Sequence, residues 1–106
     1  MGKRILHLTL KRKWFDLIAS GEKGYELRED KPYWRARLCN HDGTLKDFDE
    51  IHATNGYGPA MPFLRVEFMV PHLLPIDEAR QFAAHGEDVN SDQFVICLGR
   101  VLEVRR

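Results

Sequence analysis

The stretch Ser20-Gly21-Glu22-Lys23-Gly24-Tyr25-Glu26-Leu27-Arg28-Glu29-Asp30 carries the densest set of chemically able side chains in the sequence. Lys23, Glu26 and Arg28 supply an ammonium, a carboxylate and a guanidinium. Brought together, such a trio can hold a phosphate, a base edge or a polarised carbonyl. Spacing limits how they can meet. Lys23 and Glu26 are an odd number of residues apart, so in a regular strand they point to opposite faces. They converge only if Lys23 sits in the turn before the strand begins, and Gly21 and Gly24 supply backbone freedom for that turn. Glu26 and Arg28 share a face directly, with Tyr25 and Leu27 on the other. The competing reading is a solvated strand face with an exposed salt bridge, worth about 0–1 kcal/mol.

Other candidates lie outside this stretch. In Asn55-Gly56-Tyr57-Gly58-Pro59, Asn55 can read a base edge and Tyr57 can stack on a base, a contact worth ~1–3 kcal/mol in single-strand binders. The alternative is a structural Asn-Gly turn with the tyrosine plugging a rim. Lys11, Arg12 and Lys13 open a helix, where cations oppose the dipole; this fits a phosphate-facing patch or an ordinary solvated end. Trp14 and Trp34 fall on apolar helix faces and are expected in the core. Cys39 and His41 are two potential zinc ligands without a second pair at metal spacing, so no metal is expected, and no other cofactor. Thr9, Ser20, Thr44, Thr54 and Ser91 carry no nucleophile motif. Cys97, inside Phe94-Val95-Ile96-Cys97-Leu98, reads as a small buried hydrophobe, and both cysteines as reduced thiols in a cytoplasmic protein.

The elements that must position these residues follow from periodicity. Leu6, Leu8 and Leu10 alternate in a half-buried strand over 5–10. Lys11 to Ser20 reads as a short helix with Trp14, Leu17 and Ile18 on one face, stopped by Gly21. Strands are expected over 23–29, 48–53, 64–70 and 94–104, the last bulged or bent at Gly99. Lys31-Pro32 starts a second helix, and a third is expected over 75–85, closed by Gly86. The order β-α-β-α-β-β-α-β in 106 residues predicts one α+β domain, a small barrel with peripheral helices. Composition agrees: 43% hydrophobic and 30% charged residues suit a soluble globular protein rather than a fibre or a disordered tail. No apolar run approaches the roughly 18 residues of a membrane helix, and the N-terminus from Met1 does not read as a signal peptide.

The 16 basic and 16 acidic residues cancel, but not evenly along the chain. Residues 1–40 carry ten basic and five acidic side chains, residues 41–106 six basic and eleven acidic. The basic part contains Lys23 and Arg28 together with Lys31, Arg35 and Arg37. Either the halves interleave in the fold and cancel, or the first half meets an anionic partner. A neutral total argues against a broad, non-specific DNA binder.

Gly21-Glu22-Lys23-Gly24-Tyr25-Glu26-Leu27-Arg28 resembles the G-x-K-x-x-E-x-R signature of ASCH domains. The likeness extends to the Ile5-to-Leu10 strand, Trp14-Phe15-Asp16, Lys31-Pro32-Tyr33-Trp34, Asn55-Gly56-Tyr57-Gly58 and Phe94-to-Gly99, nearly the whole chain. The chain looks like a small, stand-alone phage- or bacterial-type member. The resemblance implies a PUA-like pseudo-barrel of about five to six strands with capping helices. It also implies a cleft, lined by the signature, that binds single-stranded RNA or a nucleoside or nucleotide. Lys23 and Glu26 would be the reactive pair; Arg28, Lys31, Asn55 and Tyr57 would contact the ligand. Some small members are hydrolases. One group resembles amidohydrolases that remove acyl groups from N4 of cytidine with a Lys, a Thr and a Glu; others are single-strand ribonucleases. Lys23 matches the amidohydrolase lysine, but Glu26 stands where that group has threonine, and a carboxylate suits a base or acceptor rather than a nucleophile. The group's acidic residue falls near Glu78, Glu87 or Asp88, with no choice among the three.

Overall fold

The computed structural model describes residues 2–58 and 60–106. Met1, and Pro59 at the end of the expected 55–59 loop, lie outside the described residues. Elements follow in the expected order: β1 (Ile5–Leu10), α1 (Arg12–Ala19), β2 (Tyr25–Glu29), α2 (Pro32–Leu38), β3 (Glu50–Asn55), β4 (Phe63–Leu74), α3 (Ile76–Phe82) and β5 (Gln93–Arg105). The five strands form one curled, mixed sheet in the order β1-β3-β4-β5-β2, a half-barrel flanked by three short helices. β1 pairs with β3 in parallel, and every other neighbouring pair is antiparallel.

The core fills the hollow of this sheet. Leu6, Leu8 and Leu10 alternate inward from β1, joined by Ile51 and Ala53, by Leu64, Val66 and Phe68, and by Phe94 and Ile96. Phe15 and Ile18 close it from α1 and Leu38 from α2. The buried face of α1 is therefore Phe15 and Ile18, three residues apart, rather than the expected Trp14, Leu17 and Ile18 face. Trp14 and Trp34 are half-buried, not central: Trp34 packs on the edge of the core and Trp14 stands outside it. Cys97 is likewise half-buried rather than buried, and both cysteines are free thiols.

Several element limits differ from expectation for local reasons. β2 starts two residues later than expected, because Lys23 is held in the turn. β3 begins at Glu50 and runs to Asn55, kept in register by β1. β4 continues four residues past Val70, through Pro71. Proline has no ladder N–H to offer, but a register irregularity between Phe68 and Pro71 accommodates it. On β5 an extra residue lies between Leu98 and Val101, the partners of Phe68 and Val66, which puts the expected bulge at Gly99-Arg100. α3 stops at Phe82, so His85 lies in the following loop.

The two margins of the sheet, β1 and β2, are joined in sequence only by α1 and the turn after it. Across the seam between them Arg28 Nη2 donates to the Thr9 carbonyl at 3.0 Å. Charges from the two halves of the chain interleave: Lys3 pairs with Glu50, Lys23 with Glu87 and Arg106 with Asp16. No helix among the described residues is long and apolar enough to cross a membrane.

Candidate functional site

The site begins with the end of α1. Gly21 adopts φ +83°, the left-handed conformation that stops the helix, and its amide donates to the Ile18 carbonyl at 3.0 Å. The reversal also lets the Lys23 amide donate to the Leu17 carbonyl at 3.0 Å. Lys23 is thereby fixed against the helix, one residue before the Gly24 carbonyl accepts from the Leu98 amide and β2 pairs with β5. Gly24 has an ordinary φ, so only Gly21 supplies the special backbone.

That turn lets Lys23 face the same way as Glu26. Lys23 Nζ donates to Glu26 Oε1 at 3.0 Å, and Arg28 Nη1 to Glu26 Oε2 at 3.2 Å. Glu26 Oε1 also accepts from the Leu27 amide at 3.2 Å. Lys23 and Glu26 are each only 2% exposed, so the solvated-face reading does not hold. Taking an ion pair out of water is costly, and such pairs often stabilise less than apolar residues of the same volume.

Trp14 roofs the ammonium, with Lys23 Nζ 4.2 Å from its ring centroid, and the Tyr25 ring lies 5.1 Å away. Trp34 backs the guanidinium at 5.1 Å. The tryptophans expected in the core are thus cation-bearing walls. Of the three carboxylates left open by the sequence, Glu87 reaches the cluster, with Oε2 3.8 Å from Lys23 Nζ. Asp88 sits at the pocket rim, and Glu78 is exposed on α3.

Glu87 Oε1 accepts from the His85 amide at 2.7 Å. Desolvation raises the Glu87 pKa, but the adjacent Tyr25 hydroxyl, the His85 amide and the Lys23 charge outweigh it and hold the carboxyl below its usual range. Burial first, then the neighbouring Glu87, pushes the Tyr25 phenol up to about 12. Its oxygen lies 3.1 Å from His85 Nδ1 and accepts from the Ala84 amide at 2.9 Å.

A pocket of about 440 Å³ opens onto Trp14, Lys23, Glu26, Arg28 and Glu87. Two buried side-chain atoms among the described residues lack a hydrogen-bond partner, Arg28 Nε and Glu87 Oε2, and both residues line this pocket. Lys31 stands at its rim, paired with Glu29 at 3.2 Å. Tyr57 lies elsewhere, 86% exposed beside a second concavity of about 560 Å³ that shares Arg28 and Trp34 with the first. Asn55 lines neither: its Nδ2 donates to the Leu10 carbonyl at 3.1 Å and ties the end of β3 to β1.

Trp14, Tyr25 and His85 were missed as site residues. The Trp14 ring sits beside Lys23 only because the Gly21 turn folds the chain back, and His85 reaches Tyr25 only because α3 ends early. No protein-family model matches the chain, and comparison with curated proteins and with solved structures also finds no match.

Proposed function

We propose that the Lys23 pocket binds a nucleotide unit, free or within single-stranded RNA, and reads its base edge. The observation that carries this reading is that the two residues with an unpartnered buried atom, Glu87 with an acceptor at Oε2 and Arg28 with a donor at Nε, line one pocket. Leaving a buried polar group unsatisfied costs about 1–3 kcal/mol, more when it is charged. A ligand edge with a donor beside an acceptor relieves both costs at once. The cytosine edge has that pattern: its exocyclic amine donates to a carboxylate, and the neighbouring ring acceptor takes a guanidinium N–H. Trp14 and Trp34 offer flanking aromatic surface, and the pocket volume suits a small ligand. Glu26, with both oxygens engaged, holds Lys23 and Arg28 in place.

Calorimetric titration with cytidine 5′-monophosphate tests the reading. Binding should be weakened at least tenfold by Glu87→Gln, which turns one acceptor oxygen into an amide. Affinity that is the same in wild type and Glu87→Gln, or absent at millimolar ligand, would count against it.

Lys23 between two carboxylates favours a second reading, hydrolysis of an N4-acylated cytidine. Lys23 would polarise the acyl carbonyl. Glu87 would take a proton from water as the water oxygen adds to the carbonyl carbon. The C–N4 bond then breaks, N4 receives the proton, and cytidine leaves with a carboxylate as co-product. Cytidine release from N4-acetylcytidine, lost in Lys23→Ala, is the expected result; no release by the wild type would exclude it.

A further inference from the structure

The second concavity differs from the first in having no Asp or Glu among its lining residues. Arg28 and Arg37 line it, with His7 and His52 on the polar face of β1 and β3. Its aromatic residues are Tyr33, Trp34, Tyr57 and Phe63. Tyr33 and Tyr57 are 58% and 86% exposed, the Arg37 guanidinium lies 4.7 Å from the Tyr33 ring, and Glu50 Oε1 lies 3.2 Å from His52 Nε2. Arg28 is already paired with Glu26, so the cation the groove itself offers is Arg37, which has no carboxylate partner among the described residues. Uncovered aromatic rings beside cations are what a flexible polyanion with stackable faces requires: phosphates meet the guanidinium groups and bases lie on the rings. The two concavities meet at Arg28 and Trp34, which line both.

We propose that this groove holds the nucleotides flanking the one in the Lys23 pocket, so that the ligand is a single-stranded oligonucleotide crossing over Arg28 rather than a free nucleoside. The proposal rests on the pocket reading above and assigns its ligand class. Arg37 would meet a phosphate and Tyr57 a base. Both side chains are exposed, so neither substitution below removes a core contact.

The test compares fluorescence anisotropy with labelled hexacytidylate RNA and calorimetry with cytidine 5′-monophosphate, for wild type, Arg37→Ala, Tyr57→Ala and Glu87→Gln. The hexamer should bind at least tenfold more tightly than the mononucleotide. Arg37→Ala and Tyr57→Ala should each weaken the hexamer about fivefold or more and leave the mononucleotide unchanged. Arg37→Ala should also reduce the salt slope of log affinity by about 0.7, one phosphate contact on a single strand. Hexamer affinity unchanged in both groove variants, or no hexamer binding, overturns the groove; mononucleotide binding lost in Glu87→Gln would then leave the pocket reading standing. A hexamer that depends on Arg37 and Tyr57, with no mononucleotide binding by any variant, keeps the groove as a strand site and overturns the pocket reading.

Discussion

Glu26 and Glu50 are both buried in this sheet, 2% and 4% exposed, and each sits beside one lysine and one arginine. Glu50 on β3 meets Lys3, accepts from Arg65 Nη1 at 2.9 Å and lies 3.2 Å from His52. Its cations reach water, the Lys3 side chain being 62% exposed. Around Glu26 the Lys23 side chain is 1% exposed and that of Arg28 17%. Among the described residues no buried side-chain atom of the Glu50 cluster is left without a hydrogen-bond partner, whereas the Glu26 cluster ends at Glu87 Oε2 and Arg28 Nε, on residues that line a pocket. Buried charge alone does not mark a site: the first network completes itself, and the second leaves two buried atoms without a hydrogen-bond partner on residues that line a pocket.

The sharpest way to break that contrast is to remove Lys23. Lys23→Met strands Glu26 and Glu87 without their shared cation, and the loss of one partner from a buried pair costs about 3–5 kcal/mol. Urea unfolding should show that loss, and a variant as stable as the wild type would mean that solvent compensates freely. Next is Glu87→Gln, which keeps the side chain's shape and gives up the 3.8 Å ion pair with Lys23 but no hydrogen bond at Oε2: the unfolding midpoint should fall less than in Lys23→Met, while cytidine monophosphate binding falls at least tenfold. A smaller effect is expected at the self-contained cluster. Lys3, Arg65 and His52 hold the Glu50 carboxyl down to about 2 against a counteracting desolvation. Its folded-state pKa is depressed, so its contribution is present above the ordinary value of 4.5 and lost as pH falls toward about 2. Glu50→Gln should flatten the acid limb of the stability profile and leave ligand binding unchanged.

The smallest effect is spectroscopic. Tyr25, with its phenol raised to about 12, should ionise well above the ordinary tyrosine value of 10 in an ultraviolet titration. An unfolded tyrosine loses its proton near 10, so this residue's share of stability falls between about pH 10 and 12. Glu87→Gln should bring the late step down, because Glu87 is part of what raises it.

Much of this was legible in the residues. The alternation of Leu6, Leu8 and Leu10 identified β1, and Pro32 marked the start of α2. The odd spacing of Lys23 and Glu26 required a turn before β2, and the Gly21 reversal supplies it. The illegible parts depend on long-range packing. Choosing Glu87 over Glu78 and Asp88 needs the path of the chain after α3, which no local spacing encodes. Trp14 and Trp34 have core-like helical positions, yet the small aliphatic hollow is already filled by Phe15 and Leu38, which leaves the indoles to cover cations. The alternation of Leu64, Val66, Phe68 and Val70 ended the expected strand at 70, and only the irregular pairing with β5 shows why β4 continues through Pro71.

The Arg28 contact across the seam also bears on the open margins of the sheet. A half-barrel, unlike a closed one, keeps two open margins, and an unpaired strand margin is a template for intermolecular strand addition and aggregation. On β1 the Thr9 carbonyl is among the acceptors such an intruding strand would use, and the Arg28 guanidinium already occupies it. A charged side chain anchored across the gap discourages strand addition there without the cost of another strand. The same residue that lines both concavities thus occupies an acceptor on the open margin of the sheet.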